Sequence, residues 1–214
     1  MIKIKNLVKE YKPDFKLEIP CLKIIRECCT GIVGNNGSGK TALISLILDL
    51  AEPDKGTIEI NSTSNRGTEW KLFTGSCLDG NSLPDFLYPM EYLRFISVFY
   101  HISNNELLRR LEIFGNFIEP DLILRNRKPV RHLSEVNREK LGIIAALIIN
   151  PLLIILDEPY SGLDQASGTT LSKILDYYKT SFKSTLLITD HDSNNFIDIC
   201  DRILLMDNGK VISE

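Results

Sequence analysis

Gly34-Asn35-Asn36-Gly37-Ser38-Gly39-Lys40-Thr41 fits the pattern G-x-x-x-x-G-K-[ST], and its reading decides the fold. Thr30-Gly31-Ile32-Val33 before it reads as a strand, and Ala42 to Leu50 after it reads as a helix. Strand, glycine-rich loop and helix are the context this pattern needs. The glycines let backbone N–H groups turn inward around phosphate oxygens, and the helix N-terminus adds its partial positive charge. Lys40 is placed to reach the β- and γ-phosphates, and the Thr41 hydroxyl to ligate Mg²⁺.

Downstream, Leu152 to Leu156 is a continuous apolar run that ends on Asp157 and Glu158. Alone it would be a buried strand with a solvated acidic turn. With a phosphate loop upstream, Asp157 at the strand's carboxyl end can hold Mg²⁺ through water, and Glu158 can polarise an attacking water. Active sites of parallel sheets lie outside the carboxyl ends of the strands.

The remaining pattern is that of an α/β chain. Ile2-Lys3-Ile4-Lys5, Phe15 to Ile19 and Gly56 to Ile60 alternate with period two and suit antiparallel strands with one wet face. From Pro89 to about Gly115 the period is helical, with Tyr92, Phe95, Ile96 and Phe99 on one stripe and a second helix from Asn104, whose side chain can cap it. After Ser134 a helix (Leu141, Ile144, Ala145, Ile148), the Leu152 strand, another helix and the apolar strand Thr185 to Thr189 follow, the alternation of parallel βαβ units.

Composition narrows the class. The chain has 214 residues, 43% of them apolar, enough to bury a core without disulfides or a structural metal. The longest uncharged apolar run, Leu141 to Leu153 apart from its interruptions, is too short to span a bilayer. The N-terminal MIKIKNLVKEY lacks an apolar signal region, so a cytoplasmic chain is expected. A net charge of −3 argues against a nucleic-acid partner held by phosphate neutralisation. Five cysteines, odd in number and without a CxxC pair, read as buried inert thiols.

Taken in order, Gly34 to Thr41, Leu133-Ser134 with the Arg138-Glu139-Lys140 helix, Leu156-Asp157-Glu158-Pro159, Ser161-Gly162-Leu163-Asp164 and Thr189-Asp190-His191 resemble the nucleotide-binding subunit of ATP-binding cassette (ABC) transporters across essentially the whole chain. The resemblance implies a P-loop ATPase fold with a mostly parallel core sheet, an antiparallel β-subdomain and an inserted α-helical subdomain. The core and β-subdomain would occupy 1–80 and 150–214, and the helical subdomain about 81–149. It implies ATP and Mg²⁺ as ligands, transmembrane permease subunits as partners in trans, and a second nucleotide-binding subunit, identical or different, closing head to tail around two ATP molecules. The chain would then sit on the cytoplasmic face of the membrane through its partner. Among residues, it implies that Tyr11 stacks on adenine, that Asp164 lies in the loop joining the two subunits, and that His191 contacts the γ-phosphate and assists Glu158. The run Leu87 to Leu93 looks like that of exporter-type cassettes. A soluble non-transport ATPase of the same family and an ATP-holding cassette with little turnover are the competing readings.

Two segments depart from the family's pattern. Leu133-Ser134-Glu135-Val136-Asn137 stands where the family has Leu-Ser-Gly-Gly-Gln, a segment that caps the phosphates of the opposite subunit's ATP. Ser134 can still donate, but Val136 brings a branched side chain to a place made for glycine. A carboxylate at Glu135 about 5 Å from a phosphate charge would cost roughly 3 kcal/mol at an effective dielectric near 20. The second departure is Asp79, which stands where the family carries a glutamine that senses Mg²⁺ and the attacking water; an ionised carboxylate offers no N–H. The chain should therefore supply the catalytic side of a site more readily than it completes a partner's.

Overall fold

Ile2, Ile4 and Leu7 are buried along β1 (Ile2–Tyr11), so the inward face switches from even to odd positions midway. The switch is a β-bulge: the register with β4 (Lys55–Ile60) shifts between Lys5 and Val8, where Asn6 takes a left-handed φ of 48°. Gly56 packs on that bulge, and a Cβ there would lie 2.3 Å from the Asn6 carbonyl oxygen. With β2 (Phe15–Ile24) and β5 (Thr63–Ser64) these strands form an antiparallel sheet of order β2-β1-β4-β5. The computed structural model describes residues 1–11, 14–78, 83–125, 128–192, 194 and 196–213.

A second sheet has the order β10-β9-β3-β8-β7-β6. It contains β3 (Cys29–Val33), β6 (Thr74–Cys77), β7 (Leu153–Asp157), β8 (Thr185–Asp190) and β9 (Arg202–Asp207), all parallel, with β10 (Lys210–Ser213) antiparallel at one edge. Both faces of this sheet are covered, which is why β7 and β8 are apolar runs rather than alternating ones. Leu153 and Ile155 pack with the antiparallel sheet and α1 (Lys40–Ile47), whereas Ile154 and Leu156 pack with α5 (Glu135–Leu147) and α6 (Gln165–Ser181). The end of α1 is closed by buried Asn65, whose amide donates to the Leu46 carbonyl at 2.8 Å.

Between the sheets' sequences lie α2 (Pro89–Phe99), α3 (Asn104–Leu111) and α4 (Pro120–Leu124), gathered around Leu93, Leu107, Phe114, Phe117 and Ile123. The helix expected from Asn104 begins there, but its cap is Ser103, whose Oγ accepts from the Glu106 N–H at 3.3 Å. Asn104 instead accepts from Arg94 Nε at 3.2 Å. No helix among the described residues is long and apolar enough to cross a membrane. The thiols do not all fit the expectation of burial: Cys21 is exposed on the outward face of β2, and Cys28 and Cys200 are half-buried.

The topology sets up one edge. Parallel pairing of β3 with β8 (Val33 opposite Asp190) and of β8 with β7 (Thr189 opposite Asp157) brings the carboxyl ends of three strands level.

Candidate functional site

At that edge β3 runs into the glycine-rich loop. Gly34 passes so close to β9 that a Cβ would lie 2.2 Å from the Met206 carbonyl oxygen. Gly37 and Gly39 have φ of 79° and 107°, conformations that a side chain would strain. Gly39 is the N-cap of α1, whose first turn carries neither a side-chain cap nor an acidic residue, so its N–H groups and its dipole are free to meet an anion. Ser38 Oγ is buried without a hydrogen-bond partner among the described residues, an orphan polar atom in the middle of the loop.

Lys40 does not reach into solvent. Its side chain is 3% exposed, and Nζ donates to the carbonyl oxygens of Gly34 (2.7 Å) and Asn35 (3.3 Å). It also pairs with Glu158 Oε1 at 3.2 Å. Glu158, just beyond β7, takes a left-handed φ of 51°, and its N–H donates to the carbonyl oxygen of Thr189 at 3.0 Å. This turn aims the carboxylate back over the loop. Its other oxygen lies 2.9 Å from His191 Nε2, so Lys40, Glu158 and His191 form one connected row. The His191 backbone N–H is itself held by Asp190 Oδ1 at 2.6 Å.

Asp157 lies beneath this row, 5% exposed, accepting from the hydroxyls of Thr189 and Thr41. Burial holds its carboxyl above the usual carboxylate range, against the opposing pull of those two hydroxyls and of Lys40. Asp190 is raised for the same first reason. Thr41 and Asp157 thus present one hydroxyl and one carboxylate side by side at a phosphate loop. Mg²⁺ in nucleotide sites takes this kind of donor set, with phosphate and water oxygens supplying the rest, so the residues fit that ion.

Tyr11, at the end of β1, faces Phe15 across the hairpin with ring centroids 5.9 Å apart. Phe15 Cζ would lie 2.8 Å from a Cβ on Gly39, which sets the aromatic pair against the loop. The sequence reading missed Phe15; its signal is the direct cross-strand pairing with Tyr11. It also missed the turn at Asn208-Gly209, a dipeptide typical of tight hairpins. Gly209 N–H donates to the Ser38 carbonyl at 2.8 Å, so this hairpin buttresses the loop from a distant part of the chain.

Ser134 and Asp164 are not gathered into the row. Each caps its own helix: Ser134 Oγ accepts from Asn137 N–H (3.2 Å) and Asp164 Oδ1 from Ser167 N–H (2.7 Å). That bond, with the Ser167 hydroxyl, holds the Asp164 carboxyl below the usual range. The two segments are neighbours, since Val136 Cγ2 lies 3.8 Å from where Gly162 would carry a Cβ. Glu135 is exposed in the first turn of α5. Asp79 lies outside the described residues.

The chain is similar to known proteins in sequence and in fold. A family model described as ABC transporter matches residues 20–161. The ABC transporter ATP-binding protein NatA of Bacillus subtilis (strain 168) is 31% identical over 186 residues, 85% of this chain and 74% of that protein. A solved ATP-binding subunit of an ABC transporter superposes with a TM-score of 0.85 at 26% identity, covering 99% of this chain and 88% of the other. A dimeric ATP-binding cassette in a post-hydrolysis state with ADP and Pi shares the fold, with a TM-score of 0.86 at 24% identity, covering 99% of this chain and 96% of the other.

Proposed function

The chain belongs to the ABC transporter family, and we propose that it is the subunit that binds and hydrolyses ATP to power a membrane permease, with the Lys40–Glu158–His191 row as its reactive edge. That row is the observation that carries the reading: a buried cation, a carboxylate and an imidazole in series at the mouth of a glycine-lined loop.

Position supports the following roles. Tyr11 and Phe15 form the platform for adenine. The N–H groups of the loop from Gly34 to Gly39, with Asn35, Asn36, Gly37 and Ser38 between, cradle the phosphates, and orphaned Ser38 Oγ gains a partner there. Thr41 and Asp157 would hold Mg²⁺, which would supply positive charge against the phosphates. Lys40 exchanges Glu158 for phosphate oxygens, and Glu158, released from the lysine, takes the proton of the attacking water. His191 keeps Glu158 oriented and reaches the γ-phosphate. Phosphoryl transfer asks mainly for positioning and charge stabilisation, which these groups supply.

Partner surfaces are consistent with a motor that works in an assembly. A groove of about 500 Å³ runs between Cys77, Leu83, Tyr92 and Ala145, beside the exposed side chains of Phe95, Val98 and Phe99. It suits an apolar segment of a permease on the cytoplasmic face of a membrane. Ser134 and Asp164 serve the contact with a second cassette. At α5 the N-terminal N–H of Asn137 is already used by Ser134, and Glu135 puts a negative charge at the helix's positive end. Two copies of this chain would therefore turn over slowly, and a different cassette makes the better partner. The test is phosphate release from MgATP by the purified chain. Release above background that disappears in Lys40→Ala supports the reading, and its absence both alone and with a permease overturns it.

A further inference from the structure

Cys29 and Cys200 are 171 residues apart in sequence, yet their sulfurs lie 3.3 Å from each other. Cys29 opens β3, and Cys200 ends the segment that leads from His191 into β9. The backbone on both sides is anchored. Asp201 N–H donates to the Cys29 carbonyl (2.9 Å), and Cys29 N–H donates to Asp201 Oδ2 (2.8 Å). Lys179 Nζ in turn holds Asp201 Oδ1 (3.0 Å) and the Ile199 carbonyl (2.8 Å). The Cys200 sulfur lies over Gly31, where a Cβ would be only 3.1 Å from it and 2.5 Å from the Phe196 ring. A side chain at position 31 would crowd the Phe196 ring first and the Cys200 sulfur with it.

We propose that Cys29 and Cys200 are a reversible dithiol–disulfide pair at the root of the nucleotide site, in which a hydroperoxide oxidises Cys200 first and Cys29 then resolves it. Closing the bridge needs the sulfurs to move together by a little over about 1 Å, to a bond of about 2.05 Å. Access sets the order, because Cys200 is half-buried and Cys29 fully buried. Chemistry agrees: the Cys29 thiol, Lys179 and the Gly31 N–H favour the thiolate at Cys200, while hydrogen bonding to Cys200 and burial push Cys29 up.

The steps balance. The Cys200 thiolate attacks the hydroperoxide, the O–O bond breaks, and the leaving oxygen takes a proton to depart as water or an alcohol, leaving a sulfenic acid. The Cys29 sulfur then attacks the Cys200 sulfur. An S–S bond forms, the S–O bond breaks, and the hydroxyl leaves as water with the Cys29 proton. Two thiols lose two electrons and one hydroperoxide gains them. A dithiol reductant reverses the change by exchange. Of the five cysteines, the other three are not needed. The bridge would tie together two segments whose far ends are Gly34 and His191.

The whole chain, reduced and freed of reductant, is treated with a few equivalents of hydrogen peroxide, capped with N-ethylmaleimide and digested without reduction. The expected product is one peptide pair joining Cys29 to Cys200, lighter than its separate peptides by two hydrogens and released by dithiothreitol. The thiols that react after denaturation fall by two from the five of the sequence. In Cys29→Ser the sulfenic acid persists at Cys200 and is trapped by dimedone. A bridge through Cys21, Cys28 or Cys77, over-oxidation of Cys200 with no bridge in the unsubstituted chain, or a native chain whose thiols stay intact would each overturn the proposal.

Discussion

Glu158→Gln separates the proposed catalytic job of one carboxylate from its pairing with Lys40. The substitution keeps the shape and removes the charge. Turnover depends on proton removal from water, a contribution of about 10² to 10⁴ in rate, or about 3–5 kcal/mol of barrier. Stability depends on the pairing with Lys40 at 3.2 Å. At an effective dielectric near 20 the gross attraction is about 5 kcal/mol. Glu158 is 27% exposed, and the glutamine oxygen still accepts from Nζ, so the net loss is about 1–2 kcal/mol. That corresponds to a fall in nucleotide-free Tm of about 2–8 °C. ATP binds at least as tightly, because a carboxylate no longer competes for Lys40. The measurements are phosphate release at saturating MgATP, equilibrium dialysis for ATP, and thermal unfolding without nucleotide. Turnover within about fivefold of the unsubstituted chain refutes the role of Glu158 as base. Tight binding lost together with turnover would mean that the residue only organises the loop.

Other substitutions test neighbouring parts of the argument. Asp157 has a raised folded pKa, so its contribution to stability is full below the unfolded value and is lost as pH rises through the folded one. Asp157→Asn should therefore raise the nucleotide-free Tm at pH 7 relative to the unsubstituted chain while abolishing Mg²⁺-dependent turnover, and the Tm gain should shrink in acid. Glu135→Gly combined with Val136→Gly should speed ATP hydrolysis by the purified chain several-fold, and an unchanged rate would sink the account of slow turnover between identical copies. Gly209→Ala places a Cβ 2.1 Å from the Lys16 carbonyl oxygen at a φ of 75°, so denaturant unfolding should show a loss of about 2 kcal/mol or more and ATP affinity should fall with it.

What was legible in the sequence was carried by contiguous residues. The loop from Gly34 to Thr41 announces its chemistry within a few positions, while the acidic end of β7 and His191 take theirs from its company. What was hidden depends on pairing across the chain. Phe15 matters because the hairpin sets it opposite Tyr11, Thr189 because the register sets its hydroxyl on Asp157, and Gly209 because β9 lies beside β3. The cap at Ser103 was within reach, since Ser103 stands three residues before Glu106, the spacing of a capping box. The bulge at Asn6 was within reach too, since the alternation slips between Ile4 and Leu7 at an Asn, a residue that tolerates a positive φ. Cys29 and Cys200 are the extreme case: nothing local to either cysteine indicates the other.

The row at the edge of the sheet explains why the same residues can be both idle and poised. A lysine buried to 3% exposure beside a helix N-terminus needs neutralising, and the loop's own carbonyls supply only partial charge. Glu158 supplies the rest, and in doing so keeps its own carboxylate engaged by Lys40 on one side and His191 on the other. An incoming phosphate offers Lys40 more negative charge than one carboxylate does. On the proposed mechanism, exchange of partners at Nζ frees the base at the moment when there is a bond to break, and His191, whose N–H is held by Asp190 at the end of β8, limits where the freed carboxylate can go. Because that exchange would rest on a charge balance at one buried atom, nucleotide binding and activation of the base would be linked within a single subunit. The completion of the site from across a dimer is a separate matter, left to the N-terminus of α5, where Glu135 stands.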